Sequence, residues 1–515
     1  MKLFIVILFT FVALNSVKAQ FNPEPKKVTQ LFFPENETIE SVTPALLKSK
    51  GFTNYEELIS FLETQQKKFP ELIKINYIGK SQKGLDIPIV FINNNNGQEK
   101  VKVFLQAGLH GNEPASTEGL LYLFYQLLNN SQYKYLLDRL EFAIIPMANI
   151  DGFLKQERNA ANGLDLNRDQ TKLMAPESVF LKQAFSDYSP EVALDFHEYN
   201  PYRRDFAKMG SFGITSAYDV MFLYSSNHNV AENVRQVIDN VFVEEARKKM
   251  DQNQLRHFDY MSTETYSGEI QFNKGSISAR SSATSFALTN TIAALIEIRG
   301  VNLGRTSFKR RINSTFLVGL SFLETAYNQM SLVKETIKNA QTSKTQRITV
   351  TSKKRIYKEE IDAVDLDQLQ LIKLPITTRD SKNSEPKLVR DKPEAYFVHK
   401  DLSFIIDKLK VLGLQVETLN QPLTAKVEVY TVSSYAREVE TFEKMNLQNV
   451  QTKITQKEMT LPEGSFKIST NQKNAALLYE TLEPESASSF VSMGVIKTEL
   501  NQEIPIYRLF KNTLN

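Results

Sequence analysis

Through TNYEELISFLETQQKKF (53–69) apolar residues recur at helical spacing and stop just before Pro70, which predicts an amphipathic helix. Two apolar-rich runs follow, LIKINYIG (72–79) and LDIPIVFIN (85–93). The Gly-bearing KSQKG between them is the pattern of a β-hairpin. VKVFLQAG (101–108) predicts a strand, and Ala115 to about Leu128 a helix. LEFAIIPMA (140–148), EVALDFHEY (191–199) and TIAALIEIR (291–299) predict further strands with helical stretches between them, the longest of those helices falling within 219–250. Near-continuous apolar runs suit strands covered on both faces. The alternation of strands and helices therefore predicts an α/β domain, three layers (α/β/α) around a mixed central sheet.

From about residue 340 the pattern changes. NAQTSKTQR (339–347) is polar and aperiodic, as a linker would be. Beyond it lie β-rich pieces (RITVTS, KVEVYTVSSY, GSFKIST), a helix near LSFIIDKLKVLG (402–413) and a charged loop around 377–393. The expected division is a main α/β domain at 20–338, a linker at 339–347 and a smaller, mixed and mainly β domain at 348–515. A length of 515 residues suits such a division, since domains run to roughly 100–200 residues each.

The first 19 residues, MKLFIVILFTFVALNSVKA, add a compartment. Lys2, an apolar run from Leu3 to Leu14 and small residues before Gln20 are the layout of a secretory signal peptide cleaved near Ala19. The run is shorter than the ~20 residues a membrane span needs. Removing Lys2 and Lys18 takes the formal charge from +3 to +1, which gives no electrostatic reason to expect nucleic acid or an anionic membrane as partner. With no cysteine in the chain, thiolate catalysis, disulfides and cysteine-ligated metals are excluded, and core packing must hold an exported fold. Hydrophobic residues at 42% supply that core.

Candidate chemistry gathers at three strand ends. His110 and Glu113 follow the strand ending near Gly108 in FLQAGLHGNEPAS, His197 lies late in VALDFHEY, and Glu297 late in AALIEIRG. In open α/β sheets binding sites form outside the carboxyl ends of strands, so these residues can converge despite their separation. Two imidazoles and a carboxylate suit Zn²⁺, which in catalytic sites keeps one position open for water. Each residue also has a plain reading: a chance HxxE, a core histidine, a glutamate paired with Arg299. QERNAANGLDLNRDQ (156–170), preceded by IPMANIDG (145–152), places Arg158, Asp165, Asn167 and Arg168 in a polar segment between strands. Guanidinium groups and an amide there would grip a carboxylate, although polar loops are ordinary.

As a set, HGNE, PMANIDG, GLDLNRD, DFHE and IEIR resemble the zinc carboxypeptidase family, the carboxypeptidase A/B type, over roughly residues 50–330. The resemblance implies a single Zn²⁺ held by His110, Glu113 and His197. It implies Glu297 as general base and Arg158 as the group polarising the scissile carbonyl. Asn167 and Arg168 would hold the terminal carboxylate of a peptide or protein substrate, and Asp165 would orient His110. The domain at 20–338 would then be the catalytic one. Some relatives carry a folded inhibitory prodomain, but the short stretch between the leader and the first predicted helix at 53–69 is too small for one, so activity without propeptide removal is expected. No family tyrosine aligns uniquely, Tyr260 and Tyr266 both being candidates. His228, His257 and His399 are expected to be structural or at the surface. The segment 461–486 resembles C-terminal regions attached to some bacterial members. Two rival readings are a zinc deacylase of N-acyl amino acids, whose group also carries HGNE and an asparagine–arginine pair, and an inactive binding protein on the same fold.

Overall fold

The computed structural model describes residues 25–342 and 345–510, so the expected signal peptide lies outside the described residues. An eight-stranded mixed sheet forms the centre. In spatial order its strands are Ile73–Lys80, Asp86–Ile92, Leu140–Ile145, Val101–Ala107, Val192–Tyr199, Ile292–Arg299, Val220–Tyr224 and His257–Asp259. The four central strands, from Leu140–Ile145 to Ile292–Arg299, run parallel. Antiparallel pairs flank them, the expected 73–92 hairpin on one side and Val220–Tyr224 on the other.

Helices cover both faces, as strands apolar on both sides require. On one face lie Tyr55–Lys68, Pro114–Asn129 and Phe308–Asn328; on the other, Pro176–Tyr188 and Ser282–Ala287. The first of these carries a reciprocal cap: Asn54 accepts the Glu57 N–H while Glu57 accepts that of Asn54, which offsets two orphan donors. On the second face Phe185 and Phe286 stack at 4.0 Å and Phe104 meets both edge-on, joining two helices to the sheet.

Three regions differ from the pattern-based expectation. Within 219–250, the segment expected to contain the longest helix, DVMFLY is in its greater part a strand that was not expected, Val220–Tyr224, antiparallel to the strand of Glu297. The helix begins only at Glu232. The charged segment expected as a loop at 377–393 belongs mostly to the 22-residue strand Gln370–Asp391. It pairs antiparallel with Arg347–Asp365, in a ribbon polar enough to lack period-two alternation. The helix Met330–Gln341 enters the stretch expected as linker, and the next strand starts at Arg347.

The C-terminal part supplies two further sheets. One is its own: six strands in the order Glu417–Thr418, Phe466–Ser469, Ala395–Val398, Glu503–Leu509, Leu423–Phe442 and Met445–Leu461. The other joins the 347–391 ribbon to strands of the main domain, Ile214–Ser216 on one edge and Met261–Tyr266 with Glu269–Lys274 on the other. A single apolar core runs from Ile39 through the central sheet to Tyr396, Leu478 and Ile506, so the two parts pack as one body. Among the described residues no helix is long and apolar enough to cross a membrane.

Candidate metal centre and substrate pocket

The carboxyl ends of the parallel strands open into one cavity of ≈ 640 Å³. At its base His110, Glu113 and His197 bring their ligand atoms within 4.8 Å of one another. The HGNE turn is shaped by contact with the PMANIDG segment. A Cβ on Gly111 would lie 2.0 Å from the Gly152 carbonyl carbon and 2.4 Å from the Glu157 oxygen, so only glycine fits. Asn149 accepts the Gly152 N–H at 3.0 Å and caps the short helix Ile150–Lys155 beneath the turn. Asp151 in that helix accepts from Ser81 and Lys83, which ties the KSQKG hairpin loop to the same region. Pro114 then starts the helix that follows Glu113.

Both imidazoles present the same face to one point. His110 Nε2 lies 3.0 Å from Asp165 Oδ1 and His197 Nε2 lies 2.9 Å from Asp195 Oδ2. Each Nε2 thus donates to a carboxylate, leaving Nδ1 with its lone pair. The two Nδ1 atoms are 3.0 Å apart, and Glu113 approaches them at 2.7 Å and 2.9 Å. Four electron-rich atoms directed at one buried point repel unless a cation lies among them, so this donor set fits a metal ion. With two nitrogens and a carboxylate, zinc is the matching chemistry. Burial alone would raise the Glu113 pKa, but His110 and His197 hold it far below the usual carboxylate range. Without a metal ion a proton serves as that cation: burial opposes charge on His197, but Asp195 and Glu113 overcome it and lift its pKa well above the usual imidazole range, so metal binding would displace the Nδ1 proton.

Asp165 is the hub of the polar loop. Its Oδ1 accepts the Asn167 N–H at 2.8 Å as well as His110, and its Oδ2 accepts from Arg158 Nε at 3.1 Å and from the terminal guanidinium nitrogen at 2.9 Å. Against the effect of burial, His110 and Arg158 hold the Asp165 pKa well below the usual carboxylate range. Asn167 accepts the Ser282 N–H through its side-chain oxygen at 2.8 Å, which leaves its –NH₂ as the donor offered to a ligand. Arg158, Asn167, Arg168 and Glu297 all line the cavity.

Glu297 sits on the strand beside His197, in register with it, and is 9% exposed. Burial is the main cause that pushes its pKa up to about 7. The charge of His197 works against the rise, and that of Glu113 adds to it. Such a carboxyl can both take and release a proton near neutrality. Arg299, the neighbour it could have paired with, donates to Thr215 Oγ1 at 2.8 Å and lies over the Phe33 ring.

All the candidate residues therefore meet at one site, and the sequence reading missed several of its neighbours. Asp195, which orients His197, stood two residues before it on the same strand face; the period of two was the available signal. Glu198, pointing to the opposite face, pairs with buried Arg311 at 2.5 Å and accepts the Ala115 N–H at 2.9 Å, which locks the helix after HGNE to the strand of His197. Of the two tyrosines, Tyr260 lines the cavity, its pKa pushed up to about 12 by burial and then by Glu297. Tyr266 is held by Glu264 and covered by Arg379. Lys354, Ile361, Asp362 and Ala363, all from the C-terminal ribbon, complete one wall. Among the remaining histidines, His228 meets the Ser384 carbonyl, His257 meets Asp251 and His399 caps a short helical turn.

A buried cluster fit for zinc, a carboxyl poised near neutrality and cationic groups lining one pocket define a metal-dependent hydrolase. The family profile described as "Zinc carboxypeptidase" matches residues 58–302. "Carboxypeptidase 2" of Trichophyton rubrum is 29% identical over 479 residues, covering 92% of this chain and 86% of that protein. "Carboxypeptidase 2" of Trichophyton equinum shows the same identity and coverage. A crystal structure of carboxypeptidase A from Helicoverpa armigera is 17% identical, with a TM-score of 0.42, covering 59% of this chain and 81% of that one. The chain is a metallocarboxypeptidase of the hydrolase class, similar over residues 58–302 to the zinc carboxypeptidase family.

Proposed function

We propose that this chain binds one Zn²⁺ through His110, Glu113 and His197 and removes the C-terminal residue of peptides outside the cytoplasm, after loss of its signal segment. The observation that carries the reading is the three-residue ligand cluster set against a cavity that His110 lines together with Glu297, Arg158, Asn167 and Arg168. When bound, zinc supplies Lewis acidity toward water and the scissile carbonyl.

The protein's own groups do the rest. Arg168 and the Asn167 –NH₂ grip the free terminal carboxylate, which sets the last peptide bond at the catalytic groups. Glu297 takes a proton from the attacking water and returns it to the leaving amine. Arg158, kept charged by Asp165 and Glu113 against the effect of burial, stabilises the oxyanion that forms, a contribution of about 3 to 4 kcal/mol for a well-aimed donor. Asp165 and Asp195 hold the two imidazoles in the tautomer that leaves Nδ1 free.

The deciding experiment compares wild type with Glu297→Gln on a blocked dipeptide with a free C-terminus, its amide and an N-acyl amino acid, with zinc content measured in parallel. The free acid should be cleaved preferentially, and Glu297→Gln should lose about 10²- to 10⁴-fold in kcat while retaining zinc. Full activity in zinc-loaded Glu297→Gln, or cleavage confined to the N-acyl amino acid, defeats the reading.

A further inference from the structure

The hairpin formed by Leu423–Phe442 and Met445–Leu461 reaches from the C-terminal sheet to the rim of the catalytic pocket. Phe442 pairs with Met445, so its turn is the two residues Glu443–Lys444. Both have positive φ, 49° and 61°, the conformation that two-residue hairpin turns normally fill with Asn-Gly. Side chains bearing a Cβ are strained there, and both are in use. Glu443 Oε2 accepts the Asp165 N–H at 2.8 Å, and the Lys444 ammonium donates to the Asn162 carbonyl. Next to them the Phe442 ring lies 4.6 Å from the guanidinium of Arg280, a residue that lines the pocket.

The turn stands on a rigid stem. Gln448 donates through its backbone N–H to Ser492 at 2.9 Å and through its side chain to Val491 and Ile496 at 2.6 Å and 2.8 Å. Gly494 packs so closely that a Cβ there would lie 2.3 Å from the Asn446 oxygen. At the other end, the carboxylate of Asp165 is taken up by His110, Arg158 and the Asn167 N–H. Its backbone N–H is the group that remains, and the hairpin supplies the acceptor.

We propose that Glu443, at the tip of this C-terminal hairpin, is a positioning residue of the active site: it holds the Asn162–Arg168 loop so that Arg158, Asn167 and Arg168 face the substrate. The inference rests on the carboxypeptidase reading above. It makes the C-terminal sheet part of the catalytic apparatus, and it accounts for a strained turn where Asn-Gly would be more stable.

The test uses the full-length chain in three variants: Glu443→Ala, Glu443→Gln and the double substitution Glu443→Asn/Lys444→Gly. Glu443→Ala should lower kcat/KM about tenfold, the low end for losing a partner of an active-site residue. Glu443→Gln keeps an oxygen acceptor and should restore most of it. The double variant relieves the strain, so its Tm should equal or exceed that of wild type while kcat/KM falls as in Glu443→Ala. The metal-stripped double variant should also bind an N-acylated amino acid about tenfold more weakly than metal-stripped wild type. Wild-type kcat/KM in the double variant, or losses in Glu443→Ala that Glu443→Gln does not recover, would overturn the proposal. A wild-type chain that releases no C-terminal residue defeats the carboxypeptidase reading instead.

Discussion

Replacing Asp165 by Asn changes one oxygen to –NH₂ at the point where His110, Arg158 and the Asn167 N–H converge, and either orientation of the new amide breaks something specific. If the –NH₂ takes the Oδ1 position it faces His110 Nε2, now 3.0 Å from a donor. The imidazole must move its proton to Nδ1, the atom 2.7 Å from Glu113 and 3.0 Å from His197 Nδ1, where a lone pair is needed for the metal. If it takes the Oδ2 position it faces two Arg158 donors at 2.9 Å and 3.1 Å, and the guanidinium must swing away. Either way a charge-assisted hydrogen bond worth about 1.5–3 kcal/mol is lost, equivalent to roughly 10- to 150-fold. The expected outcome for Asp165→Asn is a fall of about 100-fold in kcat/KM. Competition with a chelator separates the two orientations. Zinc affinity drops 10- to 100-fold in the first case, and only turnover drops in the second. Zinc affinity and kcat/KM both within twofold of wild type would refute the role assigned to Asp165.

Two further predictions concern substrate and stability. Arg168→Gln should raise KM for free-acid peptides about 10- to 100-fold through loss of one charged hydrogen bond, with little change on the corresponding amide; equal effects on both substrates would remove Arg168 from carboxylate recognition. Lys182 is wholly buried, its ammonium 2.7 Å from Ser285 Oγ and near the rings of Phe185 and Phe286, and burial lowers its pKa to about 7. Because the folded pKa is depressed below the unfolded value near 10.5, the folded state bears the full cost of charging this group below pH 7, and the cost fades as pH rises from 7 toward 10.5. Lys182→Met should therefore raise the urea midpoint at pH 7, by up to about 3 kcal/mol in stability after the lost Ser285 contact, with a gain that shrinks by pH 10. A variant less stable at every pH, or a gain independent of pH, contradicts this account.

How much was legible in the chain depended on whether the signal was local. The strands Val101–Ala107, Val192–Tyr199 and Ile292–Arg299 could be read because strands buried on both faces write themselves as continuous apolar runs, and HGNE follows the first while DFHE and IEIR fall late in the other two. Val220–Tyr224 is apolar in the same way, yet five such residues fit a helix equally well. Its pairing with Ile292–Arg299, distant in sequence, makes it a strand. The ribbon strand Gln370–Asp391 was hidden for the opposite reason. Much of its support comes from polar groups, such as the Arg390 pairs with Glu483 and Glu485, and these leave no hydrophobic period to read. Nothing around Phe442–Lys444 marked that turn as part of the site.

The sequence by itself determined the kinds of donor and their local spacing: a histidine and a glutamate three apart, an aspartate two before a second histidine, a glutamate late in an apolar strand. These follow from short-range rules of helix, strand and turn. Only the tertiary structure decided that His110 and His197, 87 residues apart, bring their Nδ1 atoms to 3.0 Å. It likewise set Glu443 on the N–H of Asp165 across 278 residues. Such distances depend on which strands become neighbours in the sheet and on how the C-terminal hairpin docks, and packing of the whole core settles both.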